Sequence, residues 1–141
     1  MAPFYLLVAD DDIDIGKLLQ LTVRMVYKDQ IHLRMVLTVP DLMDCLASTE
    51  PLPDLLLLDY HLLPLPEKAL DVLRWMQFQH HLKGLYVVVW SSLADGPEAD
   101  QCRQLGTQRF VTKMDAMSDM VGFVKSLVDG HIPKNRSSSP D

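Results

Sequence analysis

The sequence predicts an α/β domain built on a doubly wound, five-stranded parallel sheet with helices on both faces. Three observations carry this expectation. Apolar runs recur at residues 4–9, 55–58 and 85–90, too continuous for strands that keep one face in water. Between them lie segments whose apolar residues repeat at helical spacing. The connections are short, and right-handed strand–helix–strand crossovers then place helices on both sides of one sheet.

Composition agrees. A chain of 141 residues has the length of one domain and is large enough to bury a core. Its 48% hydrophobic and 23% charged content reads as globular. The net charge of −6, with no Lys/Arg cluster to offset it, argues against a nucleic-acid surface. Cys45 and Cys102 stand far apart without metal-ligand spacing, so they read as reduced packing residues. No apolar stretch nears the roughly 20 residues that span a bilayer, and the N-terminus lacks a basic leader, so the expected compartment is the cytoplasm.

The elements follow in order. Residues 4–9 form a strand buried on both faces. From Asp12, a plausible N-cap, Ile15, Leu18, Leu19, Thr22 and Met25 mark an amphipathic helix. Residues 31–38 alternate loosely, as in a strand nearer an edge. Pro40 and Asp41 open a shorter helix with Leu42, Met43 and Leu46 inward, closed by Pro51 and Pro53. After the strand at 54–58, Leu63-Pro64-Leu65-Pro66 excludes helix and reads as a loop.

Ala69, Val72, Leu73 and Met76 then repeat at helical spacing, and Gly84 marks a turn. The strand at 85–90 precedes a weak helix at 97–105, with Ala99, Cys102 and Leu105 as its apolar side and Gly106 as its stop. A last strand at 109–112 leads into a final helix striped by Met117, Met120, Val121, Val124 and Leu127. The domain is expected over 1–130, and 131–141 reads as a flexible tail or the start of a linker. The expected strand order is 2-1-3-4-5, which makes strands one and three neighbours at a switch point.

That order brings chemistry together. Asp10, Asp11 and Asp12 follow the first strand, Asp59 the third, Ser91 the fourth and Lys113 the fifth. Carboxylates crowded into one crevice repel unless a cation sits among them, and hard oxygen ligands suit Mg2+ (or Mn2+). Such an ion can also bind a phosphoryl oxygen, and a carboxylate such as Asp59 can act as a nucleophile toward phosphorus. Lys113 would offset the added charge, and the Ser91 hydroxyl could donate to a phosphoryl oxygen. Taken singly, each residue has a plainer reading as a helix cap, a strand end or a solvated charge. It is their shared position at strand ends that points to a site.

In four segments the chain resembles a response-regulator receiver domain of two-component signalling. They are residues 6–12 (Leu-Leu-Val-Ala-Asp-Asp-Asp), 55–59 (Leu-Leu-Leu-Leu-Asp), 88–92 (Val-Val-Trp-Ser-Ser) and 109–113 (Arg-Phe-Val-Thr-Lys). The resemblance spans residues 4–129 and implies a flavodoxin-like fold that accepts a phosphoryl group rather than turning over a substrate. It implies Asp59 as phosphoacceptor, and Asp10, Asp11, Asp59 and the backbone carbonyl of His61 as metal ligands. It also makes Ser91 and Phe110 switch residues, Lys113 the site's lysine, and His61, Ser92 and Leu93 residues that tune phosphoryl lifetime. The implied donor is a histidine kinase or histidine phosphotransfer protein. The implied output is a protein partner or domain on the face of the fourth helix, fifth strand and final helix, with a homodimer left open and no membrane or direct nucleic-acid contact.

Three departures stand out: Met114 where many receivers have proline, Ala69 where glycine is usual, and Trp90, bulky for its strand. Two rival readings remain at this point. One is a receiver-like interaction module indifferent to phosphate. The other is a haloacid-dehalogenase-like phosphatase, which wants a second Asp two residues after the nucleophile, where this chain has His61.

Overall fold

A computed structural model describes residues 3–48, 51–62, 69–92 and 97–129. Its elements run β1 (Phe4–Ala9), α1 (Ile13–Tyr27), β2 (Ile31–Val36), α2 (Val39–Ala47), β3 (Leu55–Asp59) and α3 (Ala69–Gln77), then β4 (Tyr86–Ser91), α4 (Pro97–Gln104), β5 (Arg109–Thr112), α5 (Lys113–Ser118) and α6 (Met120–Val128). All strand pairs are parallel, in the order β2-β1-β3-β4-β5. The expected doubly wound, flavodoxin-like topology is the observed one.

Unbroken apolar runs make unbroken burial. Every residue of β1 and β3 is buried, because each strand lies inside the sheet with helices over both faces. Alternation splits the core in two. Leu7, Leu56, Leu58, Val87 and Val89 pack with Leu42 and Leu46 of α2, Val72 and Leu73 of α3, and Cys102 of α4. Leu6, Val8, Leu55, Leu57, Val88 and Trp90 pack with Ile15, Leu19 and Val23 of α1 and with Phe123, Val124 and Leu127 of α6. Both cysteines are free thiols. That of Cys102 is buried, and burial pushes its pKa up to about 11, so it stays protonated as a small apolar side chain.

Helix starts follow local chemistry. Asp12 caps α1 by accepting from the N–H groups of Asp14 and Ile15, and Thr38 caps α2 by accepting from Asp41 N–H. Gly84 and Gly106 take positive φ, 88° and 97°, at the turns that lead into β4 and β5. Gly16 allows α1 to approach β2, since a Cβ there would overlap Met35 Sδ.

The helix faces need correction. In α1 the buried stripe is Ile15, Leu19, Thr22, Val23 and Tyr27, whereas Leu18 and Met25 lie on the flank and are exposed. The expected final helix is two helices. Asp119 breaks it with φ −150° and ψ 78°, and its carboxylate accepts from Gly122 N–H to cap α6. The break changes the helical phase, so Met117 and Val121 turn outward while Met120, Phe123, Val124 and Leu127 face the sheet. Strands three and four begin and end one residue later than expected, and β2 stops at Val36. The proline loop at 63–66 and the tail at 131–141 lie outside the described residues. Among the described residues no helix is long and apolar enough to cross a membrane.

Replacing Asp119 by alanine leaves the first turn of α6 uncapped. Urea denaturation should register a loss of about 1 kcal/mol for Asp119→Ala, and an unchanged midpoint would show that the break does not depend on this cap.

Candidate functional site

β1 and β3 are neighbours in register from Leu6↔Leu55 to Ala9↔Leu58, so the residues that follow them emerge side by side. Alternation puts Asp10 on the face of Leu6 and Val8, and Asp59 on the face of Leu55 and Leu57, both toward α1. Lys113 begins α5 immediately after β5 and reaches back across the end of β4. The sheet therefore converges side chains separated by more than a hundred positions in the chain on one rim, at the carboxyl ends of its strands.

Asp10, Asp11 and Asp59 each present a carboxylate oxygen, all within 4.8 Å of one another. Asp10 and Asp59 are buried and Asp11 is exposed. Lys113 Nζ lies 2.8 Å from Asp10 Oδ2 and 3.5 Å from Asp59 Oδ1. The main chain supplies two further donors. Asp12 N–H donates to Asp10 Oδ1 at 2.8 Å, and His61 N–H donates to Asp59 Oδ1 at 3.2 Å.

Three carboxylates face one ammonium, so negative charge is in excess. Burial raises the pKa of Asp59 to about 6, and Asp10 and Asp11 add to the rise against the opposing pull of Lys113 and the His61 N–H. Burial alone would depress the Lys113 ammonium. The carboxylates of Asp10 and Asp59 outweigh it and hold the group above its ordinary value, so Lys113 is a cation at neutral pH.

The cluster fits a hard divalent cation on three grounds. Every donor is oxygen, the charge is only partly compensated, and buried Asp10 Oδ2 has no hydrogen-bond partner among the described residues beyond its ion pair with Lys113. Asp11, the exposed member, opens the cluster to solvent.

The other expected site residues that the structure describes lie at the end of β4, in β5 and just after β3. Ser91 ends β4, buried, one residue beyond Trp90, which is the register partner of Asp59. Alternation sets Ser91 on the face of Val87 and Val89. Phe110 is half-buried in β5, with its ring edge-on to buried Tyr60 at 6.2 Å. His61 is half-buried, its ring edge-on to Tyr60 at 4.9 Å. Ser92 is exposed, and Leu93 lies outside the described residues.

Sequence reasoning noted the bulk of Trp90 and gave it no role. Its ring is fully buried, stacked on Phe123 at 5.7 Å and 10°, and Lys113 Nζ sits 5.4 Å from its centroid. The available signal was position: Trp90 shares the face of Val88 and stands one residue before the expected hydroxyl.

No family model matches the chain, and no curated protein matches it in sequence. Solved structures do match it in shape. The Mn2+-bound form of response regulator Rcp1 superposes with a TM-score of 0.79 at 21% identity, over 93% of this chain and 98% of that one. The chain has the receiver-domain fold. The phosphorylated cyanobacterial phytochrome response regulator RcpA gives a TM-score of 0.78 at 20% identity, covering 99% of this chain and 98% of that one. A CheY-like receiver domain protein from Methanospirillum hungatei JF-1 gives 0.72 at 14% identity, covering 92% and 96%. The receiver fold here thus carries an acidic pocket of Asp10, Asp11 and Asp59.

The raised pKa of Asp59 sets a pH dependence for the metal-free protein. The folded value lies above the ordinary carboxylate value of 3.8, so the folded state holds this proton longer than the unfolded chain does. Its stabilising contribution is complete below about pH 3.8 and is lost as the pH rises through about 6. With a chelator present, Asp59→Asn should therefore stabilise the fold by on the order of 1–3 kcal/mol at about pH 8, and by almost nothing at about pH 3. Urea titrations at the two pH values check this, and a gain of equal size at both would assign it to packing instead of charge.

Proposed function

We propose that this chain is a phosphoacceptor signalling module. In this reading Asp59 takes a phosphoryl group from a phosphohistidine donor, in a reaction that depends on Mg2+ or Mn2+, and the modification changes which protein partner is bound. The observation that carries it is the buried Asp59 carboxylate held among Asp10, Asp11 and the Lys113 ammonium at the end of β3. Structures of the same fold lend support, one in a Mn2+-bound form and one phosphorylated.

Asp10, Asp11, Asp59 and the backbone carbonyl of His61 would hold the cation, which when bound supplies positive charge to the phosphoryl oxygens. An oxygen of the Asp59 carboxylate attacks phosphorus as the donor's P–N bond breaks, yielding an acyl phosphate and a free histidine. With a pKa of about 6, Asp59 is mostly the carboxylate that this step requires at neutral pH. Lys113 offsets the charge that arrives on Asp59, and the Ser91 hydroxyl donates to a phosphoryl oxygen.

Ser91 then draws toward the modified Asp59 while Phe110 turns further inward beside Tyr60, shifting the balance between two conformations. The surface most affected is that of α4, β5 and the α5–α6 pair that replaces the expected final helix, where an output partner or domain would dock. Ser92, small and exposed, leaves room for the phosphoryl group. His61 and Leu93, two residues beyond Asp59 and Ser91, govern the access of hydrolytic water. The donor is a histidine kinase or a histidine phosphotransfer protein, and the compartment that goes with such donors is the cytoplasm. A phosphatase reading asks for a second acid two residues after Asp59. His61 stands there.

Incubation with acetyl phosphate and Mg2+ should add about 80 Da, one phosphoryl group per chain. The gain should vanish in Asp59→Ala and on chelation of the metal, without turnover of small phosphomonoesters. Equal labelling of Asp59→Ala and the unaltered chain overturns the assignment.

A further inference from the structure

Lys113 has two kinds of partner. Its ammonium meets the carboxylates of Asp10 and Asp59, at 2.8 and 3.5 Å, and the face of the Trp90 ring, 5.4 Å to the centroid. The first two partners are the groups that a divalent cation would claim. A metal ion there weakens the hold of those carboxylates on Lys113 and repels the ammonium directly. The ring is different. It carries no net charge, is not a metal ligand, and attracts a cation through its quadrupole whether or not the carboxylates are occupied.

The ring is also fixed in place. Trp90 is fully buried, paired in register with Asp59, and backed by the stacked ring of Phe123 from α6. Its Nε1–H has no hydrogen-bond partner among the described residues, so the indole contributes bulk and a π face at this position and not a polar contact. A phenyl ring would keep the face and lose the unpaired N–H.

We propose that Trp90 is a positioning residue for Lys113, its ring face keeping the ammonium at the site when a divalent cation occupies the carboxylates. The proposal rests on the reading that Lys113 serves phosphoryl transfer to Asp59. Two measurements test it, and the first needs no phosphoryl transfer. The chain has two tryptophans, so in a Trp75→Phe background Trp90 is the sole indole emitter. Lys113→Met, which removes the charge and keeps the length, should change Trp90 emission both without metal and in saturating Mg2+. A difference confined to the metal-free protein means that the ammonium leaves the ring when Mg2+ arrives, and overturns the proposal. No difference in either state does the same.

The second measurement is the rate of labelling by acetyl phosphate. Trp90→Leu should slow it about 2- to 30-fold, the range of cation–π contacts from exposed to desolvated, and Trp90→Phe should restore most of the rate. Equal losses in the two variants would show that the ring face is not what matters. If the unaltered chain takes no label at all, the phosphoacceptor reading fails, and the emission comparison still decides the role of Trp90.

Discussion

Like charges forced together at the end of a parallel sheet are the constraint around which this molecule is arranged. Asp10 and Asp59 are buried side by side because β1 and β3 are neighbours, and β1 and β3 are neighbours because crossovers of one hand wind helices over both faces. Two carboxylates out of water and a third at the rim are unfavourable by themselves. Lys113 meets part of that charge, and it can do so only because β5 ends two strands away from Asp59. The apolar runs that make the strands and the acidic cluster at their ends are therefore one design. The runs bury the sheet, and the sheet gathers the charges.

A second layer of order lies beneath the charges. Tyr60, directly after Asp59, is buried with its ring edge toward Phe110, and Trp90, beside Asp59 in the sheet, stacks on Phe123. Aromatic rings thus back the rim on both faces of the sheet, one toward β5 and one toward α6. Rings of this size leave little empty space, so a change at the rim is felt by close-packed neighbours instead of being absorbed in voids.

The strands were legible in the sequence because burial on both faces leaves a mark that needs no partner to read: Leu55 to Leu58 has no polar position to give to water. The acidic cluster was legible for the same reason, since Asp10 and Asp59 each close such a run, while Lys113 was legible only from its place after the short, half-buried β5. Helix faces were harder. Leu18 and Met25 share the helical spacing of Ile15 and Leu19, and only the seating of α1 against the sheet sends them outward. The break at Asp119 was hidden because the residues around it continue an apolar periodicity, while the cap that ends one helix and begins the next is a single hydrogen bond to Gly122 N–H. The tie between Lys113 and Trp90 was out of reach, because it depends on the path of a long side chain across a neighbouring strand.

The acidic triplet after β1 looks repetitive on paper, yet its members have separate employments. Asp10 holds an ammonium and a backbone donor, Asp11 stands open to water at the mouth of the cluster, and Asp12 spends its carboxylate on the start of α1. Removing any one of the three leaves a pair of aspartates that cannot divide the work the same way. Depending on which register the shortened loop adopts, either the helix start or the pocket goes without its oxygen. Three identical letters in a row are here no reserve of spare copies, and a one-codon deletion would be a more severe lesion than the substitution of a neighbour.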